Sequence, residues 1–130
     1  MEVHQRSAEE AKTEKSPARP GERVQMFINH ILPEKRDEFE KLVRLIHDVA
    51  LQTKPLSEQY HRIFFSEVPN EDGNYTFIFF MDPAVEGTDY TIGTGLTKVY
   101  GEEQAEKYIE EFEACFAGDQ EAHYLTPMAW

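Results

Sequence analysis

A chain of 130 residues, 40% hydrophobic with nine Phe and six Tyr, is long and apolar enough for one domain with its own core, so global disorder is excluded. A net charge of −12 repels phosphate backbones and anionic lipid, which argues against nucleic acid and membrane as partners, and no apolar run approaches the ~20 residues of a membrane helix. A single cysteine, Cys115, rules out an internal disulfide and suits a reducing, cytoplasmic setting.

The charge is not spread evenly. Residues 1–23 hold five acids and five bases, so the whole net charge resides in residues 24–130, as expected of a solvated acidic surface. The first 23 residues also have few large apolar side chains, and "SPARPG" adds two prolines and a glycine. A disordered or loosely packed tail is predicted there, with a single domain over 24–130. The N-terminus lacks the apolar core of a signal peptide, unless an upstream leader has been removed.

In "VQMFINHIL" the side chains of Val24, Met26, Ile28, His30 and Leu32 share one face of a strand, and Gln25, Phe27, Asn29 and Ile31 share the other. Both faces are largely apolar, so both are expected to be covered. Pro33 then suits a helical first turn, where its missing N–H is not needed, and Glu34, Asp37 and Glu38 suit the positive end of the helix dipole. Phe39, Leu42, Val43, Ile46, Val49 and Ala50 form one stripe of an amphipathic helix that should stop before Pro55. "QYHRIFFSEVP" and "YTFIFFMDP", separated by "NEDGN", read as an antiparallel hairpin around Asp72-Gly73. Residues 84–100, with three glycines and no clean period, are predicted to form a long loop with a short helix near Leu96–Tyr100. Long ordered loops of this kind tend to carry function. Ala105, Tyr108, Ile109, Phe112, Cys115 and Phe116 mark a second amphipathic helix opened by Glu102 and Glu103 and stopped near Gly118. "EAHYL" supplies a last short strand.

The order β-α-β-β-(loop)-α-β is the split pattern of a ferredoxin-like α+β fold: four antiparallel strands with two helices on one face. The helices cover only one apolar face of such a sheet. The other would be a large exposed patch on a lone subunit, and burying half a dozen such side chains is worth on the order of 10 kcal/mol before entropy is deducted. A homodimer through the sheet is the expected solution.

The stretches "VQMFINHILPEKRDEFEKLVRLI", "YTFIFFMDP" and "GEEQAEKYIEEFEACF" together resemble the antibiotic-biosynthesis-monooxygenase type of dimeric α+β barrel, over roughly residues 24–126. The resemblance implies two sheets facing one another in a homodimer, with an apolar pocket between sheet and helices in each protomer. Members include cofactor-independent oxygenases of quinols and polyketides and haem-degrading enzymes. Residues 84–100 depart from the pattern, because the typical member passes directly from the third strand into helix. Asn29 matches a pocket-facing asparagine on the first strand of haem-degrading members. Their iron-ligating histidine on the second helix and nearby tryptophan have no counterpart, since that helix carries Tyr108 and the single tryptophan, Trp130, ends the chain. No haem or other cofactor is implied.

The candidate catalytic residues are Asn29, His30 and His61. An imidazole titrates near neutrality and can take the proton of a phenol, against the plainer alternative of a strand-end histidine bonded to a carbonyl or water. Asn29 and His30 point to opposite faces, so only one of them can serve a given pocket. His47, at the flank of its helix, and His123, near the terminus, are read as surface residues. Asp82 and Glu67 lie at strand ends, where acids more often organise turns. Cys115 falls on an apolar stripe and is read as core. No histidine–carboxylate cluster has metal-ligand spacing, and there is no phosphate loop or serine-centred elbow. The aromatics Phe27, Tyr60, Phe64, Phe77, Phe79 and Tyr90 are the candidate pocket lining. Two functions are in view: a non-enzymatic homodimer that binds a small apolar or aromatic molecule, with residues 84–100 as a lid, or a cofactor-independent monooxygenase-like enzyme on quinol or polyketide-type substrates. A purely structural dimer is the third.

Overall fold

Strand pairing sets the frame. The computed structural model describes residues 2–130, and its central element is β1, Val24–Ile31. β1 pairs antiparallel with β3, Tyr75–Met81, on one side and with β4, Glu121–Leu125, on the other; β2, His61–Phe65, lies outside β3. The strand order β2-β3-β1-β4, with every pair antiparallel, is the ferredoxin-like α+β arrangement. Residues facing each other across the sheet fall into rows. His61, Met81, Gln25 and Tyr124 share one, and Ile63, Phe79, Phe27 and Ala122 share the next, all on the same face.

That face is covered by α2, Arg36–Thr53, and α5, Glu102–Glu113. A single 3-10 turn over Pro33–Lys35 separates β1 from α2, with the proline at its start. The core centres on Phe39 of α2, which is fully buried. Its ring lies 4.9 Å from that of Phe77, 5.2 Å from Phe112 and 5.7 Å from Phe116. The end of α5 is tied back to β1 by Leu32 N–H donating to the Cys115 carbonyl and Ala117 N–H to that of His30.

Two expectations change. Residues 92–100 are not mainly loop: α4 runs over Ile92–Tyr100 and packs on both α2 and α5, so three helices rather than two gather on this side. The glycines suggested a loop because glycine disfavours helix interiors. Here they permit close packing, since a Cβ on Gly95 would stand 3.0 Å from Val49 Cγ1. Asp89, just ahead of α4, accepts from the Thr91 N–H and from the hydroxyls of Thr91 and Thr94. These bonds hold its carboxyl down at about 2.

The segment before Arg23, expected as a loose tail, carries ordered contacts. It includes a short helix α1, Ala8–Thr13, capped by Ser7. The Arg6 N–H donates to the Ala84 carbonyl, and the Glu86 N–H to that of Arg6. The Arg6 guanidinium is fully buried over the Tyr60 ring and forms a bidentate pair with Glu22. Its charges are paired by geometry that composition cannot show. A further short helix, α3, Pro55–Glu58, follows α2: Pro55 ends one helix and sits in the first turn of the next.

The other face of the sheet carries the even-numbered residues of β1, β2 and β3. Met26, Ile28, Ile78 and Phe80 are half-buried there, and Phe64 is 44% exposed. No helix among the described residues is long and apolar enough to cross a membrane.

Candidate functional site

Between the sheet and the helices lies a cavity of about 820 Å³. Phe27, Ile63, Phe79 and Met81 form its floor on the sheet. Val43, Ile46 and Val49 of α2 and Ile109 and Phe112 of α5 form its sides, and Tyr90, Ile92, Gly93 and Gly95 close it above. The cavity exists because α4 is wedged against α2 and α5, so their apolar stripes meet across it rather than only each other. Polar groups enter at two edges. Lys54, Ser57, Glu58 and His61 stand on the β2 side; Asp119, Gln120 and Tyr124 stand on the β4 side.

The β2 side holds the distinctive chemistry. Glu58 ends α3 and His61 begins β2, so the intervening turn folds the carboxylate onto the imidazole Nδ1 in a direct hydrogen bond. Glu58 is 5% exposed. His47, reaching over from α2, places its Nδ1 3.6 Å from Glu58 Oε1. Among the described residues no lysine or arginine pairs with this carboxylate. The His61 ring stands perpendicular to Phe79, with centroids 5.7 Å apart, and its Nε2 is buried with no hydrogen-bond partner among the described residues. Such an atom costs roughly 1–3 kcal/mol and calls for an explanation.

Lys54 lies beside this group. Its Nζ donates to the Asp89 carbonyl at 2.8 Å and sits 5.3 Å from the Tyr90 ring centre. Burial holds the Lys54 ammonium below the usual lysine range and pushes the Tyr90 phenol above its own. The Tyr90 hydroxyl accepts from the Val85 N–H at 2.8 Å. A flat apolar body suits the floor, and a carboxylate–imidazole pair at the wall suits a hydroxyl or a cation.

No protein-family model matches the chain, and no curated protein matches it in sequence. Solved structures do resemble it. One is a Caulobacter crescentus protein assigned as an antibiotic biosynthesis monooxygenase, with a TM-score of 0.48 at 16% identity, covering 82% of this chain and 90% of that one. Another is a variant of SnoaB, a cofactor-independent oxygenase from Streptomyces nogalater, with a TM-score of 0.42 at 12% identity over 83% and 95% of the two chains. A Methanosarcina mazei protein gives 0.41 at 14% identity over 82% and 93%. Each of these likenesses is partial, with a TM-score below 0.5.

The residues singled out from the sequence are dispersed. Phe27, Phe79, Tyr90 and His61 line the cavity. Phe77 lies in the core against Phe39. Tyr60 does not line the cavity; it packs with Ala11 and Val85 under the N-terminal segment. Phe64 faces the other way, on the open side of the sheet beside Phe80. Its strand alternates, and the parity that points Ile63 inward points Phe64 out.

Among the catalytic candidates only His61 reaches the cavity. His30 is on the opposite face, its Nε2 2.6 Å from Glu121 Oε2, and this contact lowers the Glu121 carboxyl. Asn29 points toward the helices, as its parity with Phe27 requires, but it does not border the cavity. Its amide is committed: Nδ2 donates to the Phe77 carbonyl at 3.0 Å, and Oδ1 accepts from Gln120 Nε2 at 2.7 Å. Asp82 accepts from the Ala18 N–H, and buried Cys115 has its thiol pushed up by desolvation. Glu58, His47 and Lys54 were missed as site residues. The Glu-x-x-His spacing at 58–61 was the available signal, and it acquires meaning only once Pro55 is seen to start a new helix.

Proposed function

We propose that the protein binds a small apolar or aromatic molecule carrying a polar group in the cavity between sheet and helices, and that it does so as a homodimer joined through the open face of the sheet. The cavity itself carries the reading. Its volume of about 820 Å³ falls within the range of small-molecule sites, and an aromatic and aliphatic lining with a few convergent polar groups is their usual composition. Bound with its hydroxyl toward the β2 side, such a molecule would give His61 Nε2 the partner it lacks. The half-buried row of Met26, Ile28, Ile78 and Phe80 supports the dimer, because a contiguous apolar patch of that kind marks an association surface.

The test is titration of naphthols and alkyl hydroquinones, followed by calorimetry, on the wild type and on Ile63→Trp, which fills the floor. Saturable binding that Ile63→Trp abolishes is expected. Absence of saturation across the panel, or binding indifferent to Ile63→Trp, overturns the reading.

The Glu58–His61 pair favours a second reading, a cofactor-independent oxygenase. A buried carboxylate orients an imidazole, which takes the proton of a quinol hydroxyl and leaves a phenolate open to dioxygen. Oxygen consumption with the same hydroquinones, lost in His61→Ala, separates catalysis from binding alone.

A further inference from the structure

We propose that His47, Glu58 and His61 form a site for one first-row divalent transition-metal ion, such as zinc or ferrous iron, in the wall of the cavity. One donor atom from each of the three residues lies within 4.8 Å of the others. An ion ~2.1 Å from each ligand atom holds them ~3.4 Å apart in tetrahedral geometry, so the 3.6 Å between His47 Nδ1 and Glu58 Oε1 is close to a bound spacing, while Glu58 and His61, now hydrogen-bonded to each other, would part to admit the ion. Two imidazoles and one carboxylate make a donor set that suits zinc or iron with open positions, whereas calcium and magnesium ask for oxygens throughout.

Charge is the stronger argument. Glu58 is 5% exposed, and its side-chain partners among the described residues are the two imidazoles alone. The Lys54 ammonium lies nearby without bonding to Glu58, and a buried carboxylate is best compensated by a positive charge in direct contact with it. A metal ion supplies it while leaving both imidazoles neutral, the form in which they ligate. The three ligands come from α2, α3 and β2, elements fixed independently by the fold, and the His61 ring is held against Phe79. His47 is only half-buried, which leaves an entry path from solvent.

A second His–Glu–His set on the open face provides the contrast. There Glu121 meets His30 at 2.6 Å and His123 at 3.8 Å, but Glu121 and His123 are exposed on an edge strand, where water screens the carboxylate. No buried charge there demands an ion. Because Glu58 and His61 also line the cavity, the remaining coordination positions of the proposed ion would open toward whatever the cavity holds. This inference goes beyond the small-molecule reading and stands without it.

The test uses the full chain without an affinity tag, stripped with EDTA and titrated with Zn²⁺, then with Co²⁺ for its visible absorption. One ion per chain, a raised Tm and tetrahedral or five-coordinate Co²⁺ bands are expected. His47→Ala and Glu58→Gln should each weaken binding by at least the ~10–100-fold that loss of an outer-shell partner costs, while His30→Ala leaves it unchanged. Failure of the wild type to bind either ion overturns the proposal, as does binding that survives His47→Ala or is lost in His30→Ala. His47 sits on a half-exposed helix flank, so its variant decides the matter if Glu58→Gln does not fold.

Discussion

Arg6 and Glu22 are joined by two hydrogen bonds, Nε to Oε2 at 2.7 Å and Nη2 to Oε1 at 2.6 Å, with both side chains essentially withdrawn from solvent. The pair fastens the N-terminal segment to the start of β1. Removing one partner strands the other charge in the interior, so Arg6→Ala should cost about 3–5 kcal/mol in denaturant unfolding at neutral pH. The same pair sets an acid limit. Its hydrogen bonds to Arg6 bring the Glu22 carboxyl from the ordinary 4.5 to about 2. The stabilisation is therefore complete above about pH 4.5 and drains away as the pH falls toward about 2. Urea midpoints across that window should fall less steeply for Glu22→Gln than for the wild type; parallel curves would discard this assignment.

The open face of the sheet should govern association. Phe80→Glu, placing a charge among Met26, Ile28 and Ile78, is expected to give monomers where the wild type, as proposed, gives dimers by light scattering at micromolar concentration. A wild type that is already a stable monomer at that concentration would remove the homodimer.

Gly95 should prove sensitive to the smallest enlargement. Its added Cβ meets Val49 Cγ1 at 3.0 Å and Thr53 Oγ1 at 3.4 Å. Gly95→Ala gains helix propensity of up to ~1 kcal/mol, yet overpacking costs ~1–3 kcal/mol, so a net loss is expected. Combining it with Val49→Ala should recover part of that loss in a double-mutant cycle. Purely additive costs would mean that α4 does not depend on this contact.

Asn29 should behave as a structural residue. Asn29→Leu leaves the Gln120 amide without its acceptor and the Phe77 carbonyl without one donor, at a cost of roughly 1–3 kcal/mol. Hydrogen exchange should quicken at the start of β4, while ligand affinity stays near that of the wild type. Full stability with lost binding would instead return Asn29 to the ligand.

The frame was legible in the sequence because it rests on period and order. Alternation in β1 separates Asn29 from His30 to opposite faces, as the structure has them, and the stripe from Phe39 to Ala50 is buried along α2 except for half-buried Ile46. The features that stayed hidden depend on contacts between distant segments. Arg6 and Glu22 are 16 residues apart in a stretch without an apolar face, where composition alone suggests a loose tail. Gly93 and Gly95 carry the same local signal whether they loosen a loop or admit a neighbouring helix. His47 looked like a surface residue from its place on the helix flank; what stands opposite it, Glu58, is supplied by a different helix.

The placement of α4 separates two duties along the chain. The sheet, with the Phe39 cluster against it, holds the subunit together, while Tyr90, Thr91, Ile92, Gly93 and Gly95 supply the ceiling over the hollow and α4 touches the framework chiefly through α2 and α5. Substitutions in that ceiling therefore change the width of the hollow while the hydrogen-bonded scaffold beneath keeps its form.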